Sequence, residues 1–193
     1  MTESAPELLA GHRSALLLVD LQRFVVELPL RPHHGHDVLA RAIALLSAAR
    51  AKSMPVIFIR IGEQYRQALQ LAPPCDRPLP GFEIAADGFA LAQGLAPRAD
   101  EVIVTKYNWG GFYGTDLELQ LRRRKIGQLI MAGIATNYAI ESTARAAHER
   151  GYAQILVEDA ISAFSLEEHE HPFATVFPKI ARVRTTKEVL AAL

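Results

Sequence analysis

ALLLVD, at residues 15–20, is an unbroken apolar run that ends in an aspartate. A strand without polar alternation is typical of a parallel sheet that is covered on both faces. Apolar residues then recur at helical spacing over residues 37–51, where Asp37 is well placed as the N-cap. A buried strand followed by such a helix predicts a crossover connection to a parallel neighbour.

The rest of the chain repeats this alternation of short apolar runs and helical stretches. Further strands are predicted at residues 56–61, 101–105, 129–132, 155–157 and 182–184, and helices at 115–125, 136–150, 165–180 and 186–193. Six strands with crossover helices predict a three-layer, doubly wound α/β fold of Rossmann-like type with a mostly parallel sheet. The 193 residues, 50% of them apolar, suit one core, so we expect a single domain over residues 1–193.

Composition excludes several classes of protein. Lysine plus arginine total 21 and aspartate plus glutamate total 21, so no net charge is available to attract nucleic acid or an anionic membrane surface. The only cysteine is Cys75, which excludes an internal disulfide. No run approaches the roughly 18 apolar residues of a membrane span, and the N-terminus does not resemble a secretory signal. We therefore expect a cytoplasmic protein that binds neither nucleic acid nor a membrane.

Residues 62–98 break the pattern, because five prolines interrupt any long helix there. A segment of this length predicts an excursion over the surface that is functional or covered by a partner. Its apolar side chains are compatible with a covered surface: Leu69, Leu71, Phe82, Phe89 and Leu91.

Ligands of doubly wound sheets bind at the carboxyl ends of the strands. That rule selects Asp20, Arg60, Lys106 and the turn at residues 133–139. Burial at a strand end raises the pKa of a carboxyl group, which would make Asp20 a proton donor, although an aspartate that caps the following turn is an equal alternative. Lys106 would suit a carboxylate or an anionic substrate, and an exposed lysine is its simpler explanation.

Three motifs narrow these alternatives. They are DLQ at 20–22, GFYGTDL at 111–117 after Lys106, and GIATN at 133–137 leading into STAR at 142–145. Together, in this order, they resemble the isochorismatase-like hydrolase superfamily. The resemblance covers residues 14–190. WGGFYGTDLELQLRRR at 109–124 and ESTAR at 141–145 are most similar to a bacterial subgroup of uncharacterised isochorismatase-family hydrolases.

The resemblance implies a catalytic arrangement with one substitution. Most members, such as nicotinamidases and carbamoylases, use an Asp, Lys and Cys triad, and here Asp20 and Lys106 take the first two places while Ala139 takes the third. A methyl group cannot attack a carbonyl, which closes the thioester route. Isochorismatases proper also lack the cysteine and hydrolyse a vinyl ether by proton donation. Asp20 would be that acid, and Lys106 would hold a substrate carboxylate or tune the Asp20 pKa.

The family turn carries a non-proline cis peptide, which here would join Ile134 to Ala135. The amides of Ala135 and Ala139 would then face a developing negative charge. Candidate substrate-binding residues are Gln22, Arg60, Trp109, Phe112 and Tyr138. A solvent-facing glutamine and aromatic residues that belong to the core or an interface are the alternatives.

A metal or cofactor is not expected. His33, His34 and His36 lie in a predicted loop where the pattern fixes no acidic or cysteine partner, so exposed histidines are the preferred explanation. Nicotinamidases place an Asp-x-His metal pair after the second strand, where this chain has RIGE at 60–63. No dinucleotide or P-loop fingerprint occurs.

Three hypotheses remain from the sequence. The first is a hydrolase without a cysteine nucleophile that acts by Asp20 proton donation on a small, anionic substrate. The second is a non-catalytic relative that binds a metabolite or a protein partner. The third is an amidase that uses Cys75 or an activated water. The resemblance also implies a homodimer or homotetramer.

Overall fold

Six strands form one sheet in the computed structural model, which describes residues 8–63, 71, 73–78 and 83–193. They are β1 Ser14–Val19, β2 Val56–Ile61, β3 Val102–Lys106, β4 Gln128–Ile134, β5 Ala153–Ser162 and β6 Arg182–Arg184. The spatial order is β3-β2-β1-β4-β5-β6, and every neighbouring pair is parallel. The predicted doubly wound α/β sheet is confirmed.

Helices cover both faces of this sheet. They are α1 Arg23–Val26, α2 Gly35–Ala51, α3 Leu117–Arg123, α4 Glu141–Glu149, α5 Leu166–Thr175, α6 Phe177–Ile180 and α7 Thr186–Ala192, with a π-helical turn, Thr136–Ile140, directly before α4. Leu16 and Leu18 of β1 join the core under α2 and α7, whereas Leu17 and Val19 join the core under α3 and α4. The apolar run at 15–19 is therefore buried on both faces, as its composition predicts.

Two helix boundaries differ from the predictions. α2 begins at Gly35, so Asp37 lies in its first turn and is not the N-cap. A Cβ on Gly35 would lie 2.1 Å from the Val26 carbonyl oxygen, so only glycine fits at the first residue of this helix. The predicted helix at 165–180 is two helices that meet at Val176, because Pro178 has no N–H to donate back into α5.

β5 is longer than predicted and contains a bulge. Met131 and Gly133 of β4 pair with Leu156 and Ile161 of β5, so the register shifts between the two pairs. The bulged segment includes Glu158 and Asp159. Bulges redirect side chains and are frequent near functional sites. Here Asp159 accepts a 2.7 Å hydrogen bond from the Thr186 N–H and thereby anchors the start of α7.

The excursion between β2 and β3 is described only in part. Its described residues form turns and one bridge, from Gln22 to Leu91, but no helix or strand. Leu69 and Phe82, two of the apolar residues noted for this segment, lie outside the described residues; Leu71 is exposed, and Phe89 and Leu91 are half-buried. In the described part of the chain, no helix has the length and apolar character needed to cross a membrane.

Candidate active site

Asp20 lies where the chain leaves β1, at the point where the strand order of the sheet reverses. β1 pairs with β2 on one side and with β4 on the other, and the connections from this point run in opposite directions across the sheet. Asp20 has φ 52°, in the left-handed region that non-glycine residues rarely adopt. Its N–H donates a 2.8 Å hydrogen bond to the Ile59 carbonyl, which holds the strained residue at the edge of the sheet.

Gly133 allows β4 to approach β1 closely beside Asp20. It pairs with Val19 and has φ 141°, and a Cβ there would lie 2.0 Å from the Val19 carbonyl oxygen. Only glycine satisfies both conditions. The close contact between β4 and β1 thus explains why the GIATN motif begins with glycine.

Asp20 and Lys106 form a buried ion pair at this edge. The Lys106 Nζ lies 2.7 Å from the Asp20 Oδ2, and the two side chains are only 3% and 4% exposed. The Lys106 Nζ also donates to the Asn108 carbonyl at 3.2 Å. The Asp20 Oδ1 is buried and has no hydrogen-bond partner among the described residues. One oxygen of the carboxyl group is therefore held by lysine while the other is unsatisfied.

The pair has unusual electrostatics. Burial raises the pKa of the Asp20 carboxyl above its ordinary value, because the charged form loses hydration. The charge and hydrogen bond of Lys106 act in the opposite direction and offset part of this increase. A carboxyl group with a raised pKa retains its proton to higher pH and can donate it.

A turn at the end of β4 forms the other side of the site. The peptide between Ile134 and Ala135 is cis, as the resemblance implies, and the π-helical turn follows at once. Ala139 lies in this turn and is 3% exposed. The Thr143 hydroxyl donates to the Ala139 carbonyl at 2.6 Å and accepts from the Gly111 N–H at 2.9 Å. Thr143 therefore connects the loop after Lys106 to the turn that carries Ala139.

Comparison with known proteins identifies the family. The sequence pattern of the Isochorismatase domain matches residues 14–188, nearly the whole chain. The chain belongs to the isochorismatase family.

Individual relatives cover most of the chain. The uncharacterised isochorismatase family protein YecD of Escherichia coli O157:H7 is 39% identical over 185 residues, which are 96% of this chain and 98% of YecD. The structure of an isochorismatase family protein from Burkholderia thailandensis has a TM-score of 0.88 and 40% identity, with 94% of this chain and 95% of that chain covered. The ureidoacrylate amidohydrolase RutB of Stutzerimonas stutzeri is 32% identical over 183 residues, covering 80% of this chain and 73% of RutB. These relatives support a hydrolase of the isochorismatase family.

Two of the three predicted aromatic residues lie together beside the turn. The rings of Trp109 and Tyr138 meet edge to face with centroids 4.8 Å apart, and Trp109 is 47% exposed. The prediction for Phe112 is wrong, because this ring is buried in the core under α3 and α4. The Arg150 guanidinium covers the Phe112 ring at 4.9 Å from its centroid. A side chain enclosed in this way is unavailable to a substrate.

The predictions for Gln22 and Arg60 also need correction. Gln22 is fully buried, and its amide bonds both the N–H and the carbonyl of Ile61 and the carbonyl of Phe89, so it fastens the excursion to β2. Arg60 donates to the Thr105 hydroxyl at 3.2 Å. Because Thr105 precedes Lys106 in β3, side-chain alternation places Arg60 and Thr105 on the face opposite to Lys106.

The expectation that the loop histidines lack an acidic neighbour is wrong for His33 and for His36, whose Nε2 lies 3.1 Å from the Glu27 Oε1. His33 has a buried neighbourhood of its own. Its Nε2 lies 3.5 Å from the Glu158 Oε1, and His169 reaches the same oxygen at 3.2 Å. His34 and His36 are exposed, as predicted. Glu158 comes from the β5 bulge and His169 from α5, and no sequence spacing relates either of them to His33.

Sequence reasoning also missed Asn108 and Thr143. Thr143 lies within the STAR motif, which marks the segment as part of the family pattern. Its role is not apparent from the motif, because its two hydrogen bonds join segments that are distant in sequence. Asn108 contributes through its backbone carbonyl, which carries no side-chain signal. Cys75, the candidate for a substitute nucleophile, is exposed.

Proposed function

We propose that the protein is a hydrolase that acts on a small anionic substrate by proton donation from Asp20, without a cysteine nucleophile. One observation carries the proposal: the buried Asp20 Oδ1 has no hydrogen-bond partner within the described residues, while Lys106 holds Oδ2. A buried polar atom without a partner is costly, and a substrate atom beside Oδ1 would satisfy it. The raised pKa of Asp20 favours the protonated form that a donor requires.

Hydrolysis of a vinyl ether fits this chemistry. Asp20 transfers its proton to the terminal carbon of the enol ether, and the double-bond electrons form the new C–H bond and leave an oxocarbenium ion. Water adds to that ion, and its proton returns to the Asp20 carboxylate. The hemiketal then loses the alcohol to give pyruvate. Lys106 stabilises the carboxylate that forms when Asp20 donates its proton.

Amide hydrolysis by a thioester is disfavoured. RutB is an amidohydrolase by name, whereas Ala139 occupies the place that the resemblance gives to the nucleophilic cysteine. A methyl group forms no covalent intermediate, and the exposed Cys75 is not held in a buried site beside Lys106. Vinyl-ether hydrolysis needs an acid and a water molecule but no protein nucleophile.

The remaining parts of the site have supporting roles in this proposal. The backbone amides of Ala135 and Ala139 stabilise negative charge on the substrate, and Trp109 and Tyr138 line an apolar wall for a cyclic substrate. Trp109 is 47% exposed and Tyr113 is 66% exposed. Large aromatic side chains in such positions are consistent with a surface that a second subunit covers. We expect a homodimer or homotetramer, which light scattering of the purified protein would measure.

The experiment is a turnover assay against isochorismate together with a panel of small amides and carbamoyl compounds. We expect wild-type protein to release pyruvate from isochorismate, and Asp20→Asn to reduce turnover by about 10²- to 10⁴-fold. Glu101→Gln is the matched control, because it makes the same carboxyl-to-amide change in a partly buried ion pair outside the site. Unchanged pyruvate release by Asp20→Asn would refute the acid role.

One observation favours a second candidate. Ala139 is also what a relative that has lost catalysis and binds a metabolite would carry. If the wild-type protein is silent on every compound while Ala139→Cys gains amidase activity on nicotinamide or carbamoyl compounds, the scaffold is intact and only the nucleophile has been lost. That result would favour the binding protein.

A further inference from the structure

Three potential metal ligands converge beside the turn of the candidate active site. His33 comes from the loop before α2, Glu158 from the β5 bulge and His169 from α5, and one ligand atom from each lies within 4.8 Å of the others. Both imidazoles approach the same oxygen, since His33 Nε2 and His169 Nε2 lie 3.5 and 3.2 Å from Glu158 Oε1. The side chain of His169 is only 3% exposed, that of His33 is 23% exposed, and that of Glu158 is 36% exposed.

The hydrogen bonds within this cluster are incomplete. The His33 Nε2 is itself buried but has no hydrogen-bond partner in the described residues. His169 is held from its other side, because its Nδ1 lies 2.9 Å from the Thr136 hydroxyl oxygen. The Glu158 Oε1 lies within hydrogen-bond distance of the His169 Nε2, at 3.2 Å. The cluster thus presents an unsatisfied imidazole nitrogen and a carboxylate toward the same point.

We propose that His33, Glu158 and His169 form a Zn²⁺ site. Two imidazole nitrogens and a carboxylate oxygen are a ligand set that zinc prefers. Zinc holds such ligands at about 2.0–2.1 Å in a tetrahedron, so neighbouring ligand atoms stand about 3.3 Å apart. The separations of the two imidazole nitrogens from Glu158 Oε1, 3.5 and 3.2 Å, are close to that value. The ligand atoms of the two histidines lie within 4.8 Å of each other and would move closer together as the metal binds. A water molecule would complete the tetrahedron.

Thr136 is the outer-shell residue of this site. Zinc-bound histidines almost always hydrogen-bond through the ring nitrogen that does not face the metal, which fixes the tautomer and the ring orientation. With zinc on the His169 Nε2, the Nδ1–H donates to the Thr136 hydroxyl. Thr136 is the first residue of the π-helical turn that carries Ala139. The metal would therefore hold α5, the β5 bulge and the loop before α2 together next to that turn.

The test is calorimetric titration of the full-length, chelator-treated protein with Zn²⁺, with Co²⁺ as a spectroscopic probe of the same site. We expect one Zn²⁺ per chain and, for His33→Gln, an affinity at least about 100-fold lower with loss of the Co²⁺ absorption. Thr136→Val keeps all three ligands and removes only the outer-shell acceptor, so its affinity should fall about 10-fold or more. His36→Gln is the matched control, because His36 is an exposed histidine near the same loop whose ion pair is with Glu27.

Circular dichroism without metal separates loss of binding from loss of fold. His33→Gln should retain the wild-type fold, because the His33 Nε2 has no hydrogen-bond partner in the described residues that the substitution would remove. Absence of saturable Zn²⁺ binding by the wild-type protein would overturn the proposal. Equal affinity of wild type and His33→Gln, or an equal loss in His36→Gln, would also overturn it. None of these measurements uses catalytic activity, so their outcome is independent of the Asp20 proposal.

Discussion

A buried ion pair and a partly buried one in this protein share the same closest contact but differ in their electrostatics. The Lys106 Nζ lies 2.7 Å from Asp20, and the Arg50 Nε lies 2.7 Å from Glu101. In the second pair both carboxylate oxygens are satisfied: Arg50 donates to each of them, and the Arg98 N–H donates to Oε2 at 2.7 Å. In the first pair the Asp20 Oδ1 receives no hydrogen bond from the described residues.

The pKa directions follow from this difference. Burial alone would raise the pKa of Glu101, but the hydrogen bonds from Arg50 and the Arg98 N–H outweigh it, and the pKa is lowered. For Asp20 burial dominates and the pKa is raised. A close ion pair that is largely withdrawn from solvent is therefore insufficient evidence for a catalytic site. The distinguishing features are the unsatisfied oxygen and the strained backbone of Asp20 at the end of a central strand.

Removal of Lys106 should have the largest effect on stability among the ion-pair substitutions compared below. Lys106→Met keeps much of the side-chain volume but leaves Asp20 without its cation, so we expect kcat/KM to fall by about 10²- to 10³-fold. Loss of the ammonium raises the Asp20 pKa further, and the alkaline limb of the pH–rate profile should move to higher pH. The free energy of unfolding should fall by up to about 3–5 kcal/mol at pH values above the Asp20 pKa, where the carboxylate is charged and unpaired. It should fall by less at pH values below that pKa, where Asp20 binds a proton.

Lys187→Met is the control for this substitution, because Lys187 is exposed on α7. It should leave both activity and stability unchanged. An alkaline limb that stays in place in Lys106→Met would show that Asp20 is not the group that titrates.

The pH dependence of stability should separate the two pairs by sign. The folded pKa of Glu101 is lowered, so its contribution is present above the unfolded pKa and is lost as the pH falls through the folded value. Glu101→Gln should therefore cost about 1.5–3 kcal/mol near neutral pH and less in acid. The folded pKa of Asp20 is raised, so between its unfolded and folded pKa values the native state binds more protons and stability declines with rising pH.

Urea denaturation from about pH 3 to 7 would measure both effects. The wild-type free energy of unfolding contains a part that falls with rising pH because of Asp20 and a part that rises with pH because of Glu101. Asp20→Asn should abolish the falling part, and Glu101→Gln should abolish the rising part. Slopes of the same sign for the two variants would refute the contrast between the pairs.

The fold could be predicted because it depends on local patterns. The apolar run at 15–19 and the alternation that follows it fix strands, crossovers and parallel pairing. The errors lie where a tertiary contact overrides the local signal. Gly35, the first residue of α2, lies against the Val26 backbone, a contact that no local pattern reveals. β5 extends past its predicted end because a bulge accommodates Glu158 and Asp159.

The site could be predicted only for residues at strand ends. Asp20 and Lys106 lie together because parallel strands end at the same edge of the sheet. Phe112 and Gln22 were misassigned because their chemical types suit a substrate, whereas their burial and partners depend on contacts invisible in the sequence. His33, Glu158 and His169 converge through topology, so no spacing rule can find them.

An exposed ion pair gives the smallest expected effect and calibrates the other two. Arg23 of α1 contacts Asp87, and these side chains are 51% and 67% exposed. In water both charges remain hydrated, so Arg23→Gln, Asp87→Asn and the double variant should each change the free energy of unfolding by less than about 0.5–1 kcal/mol, with a coupling energy that salt reduces. Urea denaturation in a double-mutant cycle at low and high salt measures this coupling. A coupling as large as the loss in Lys106→Met would mean that burial does not distinguish the ion pairs of this protein, and the comparison would fail.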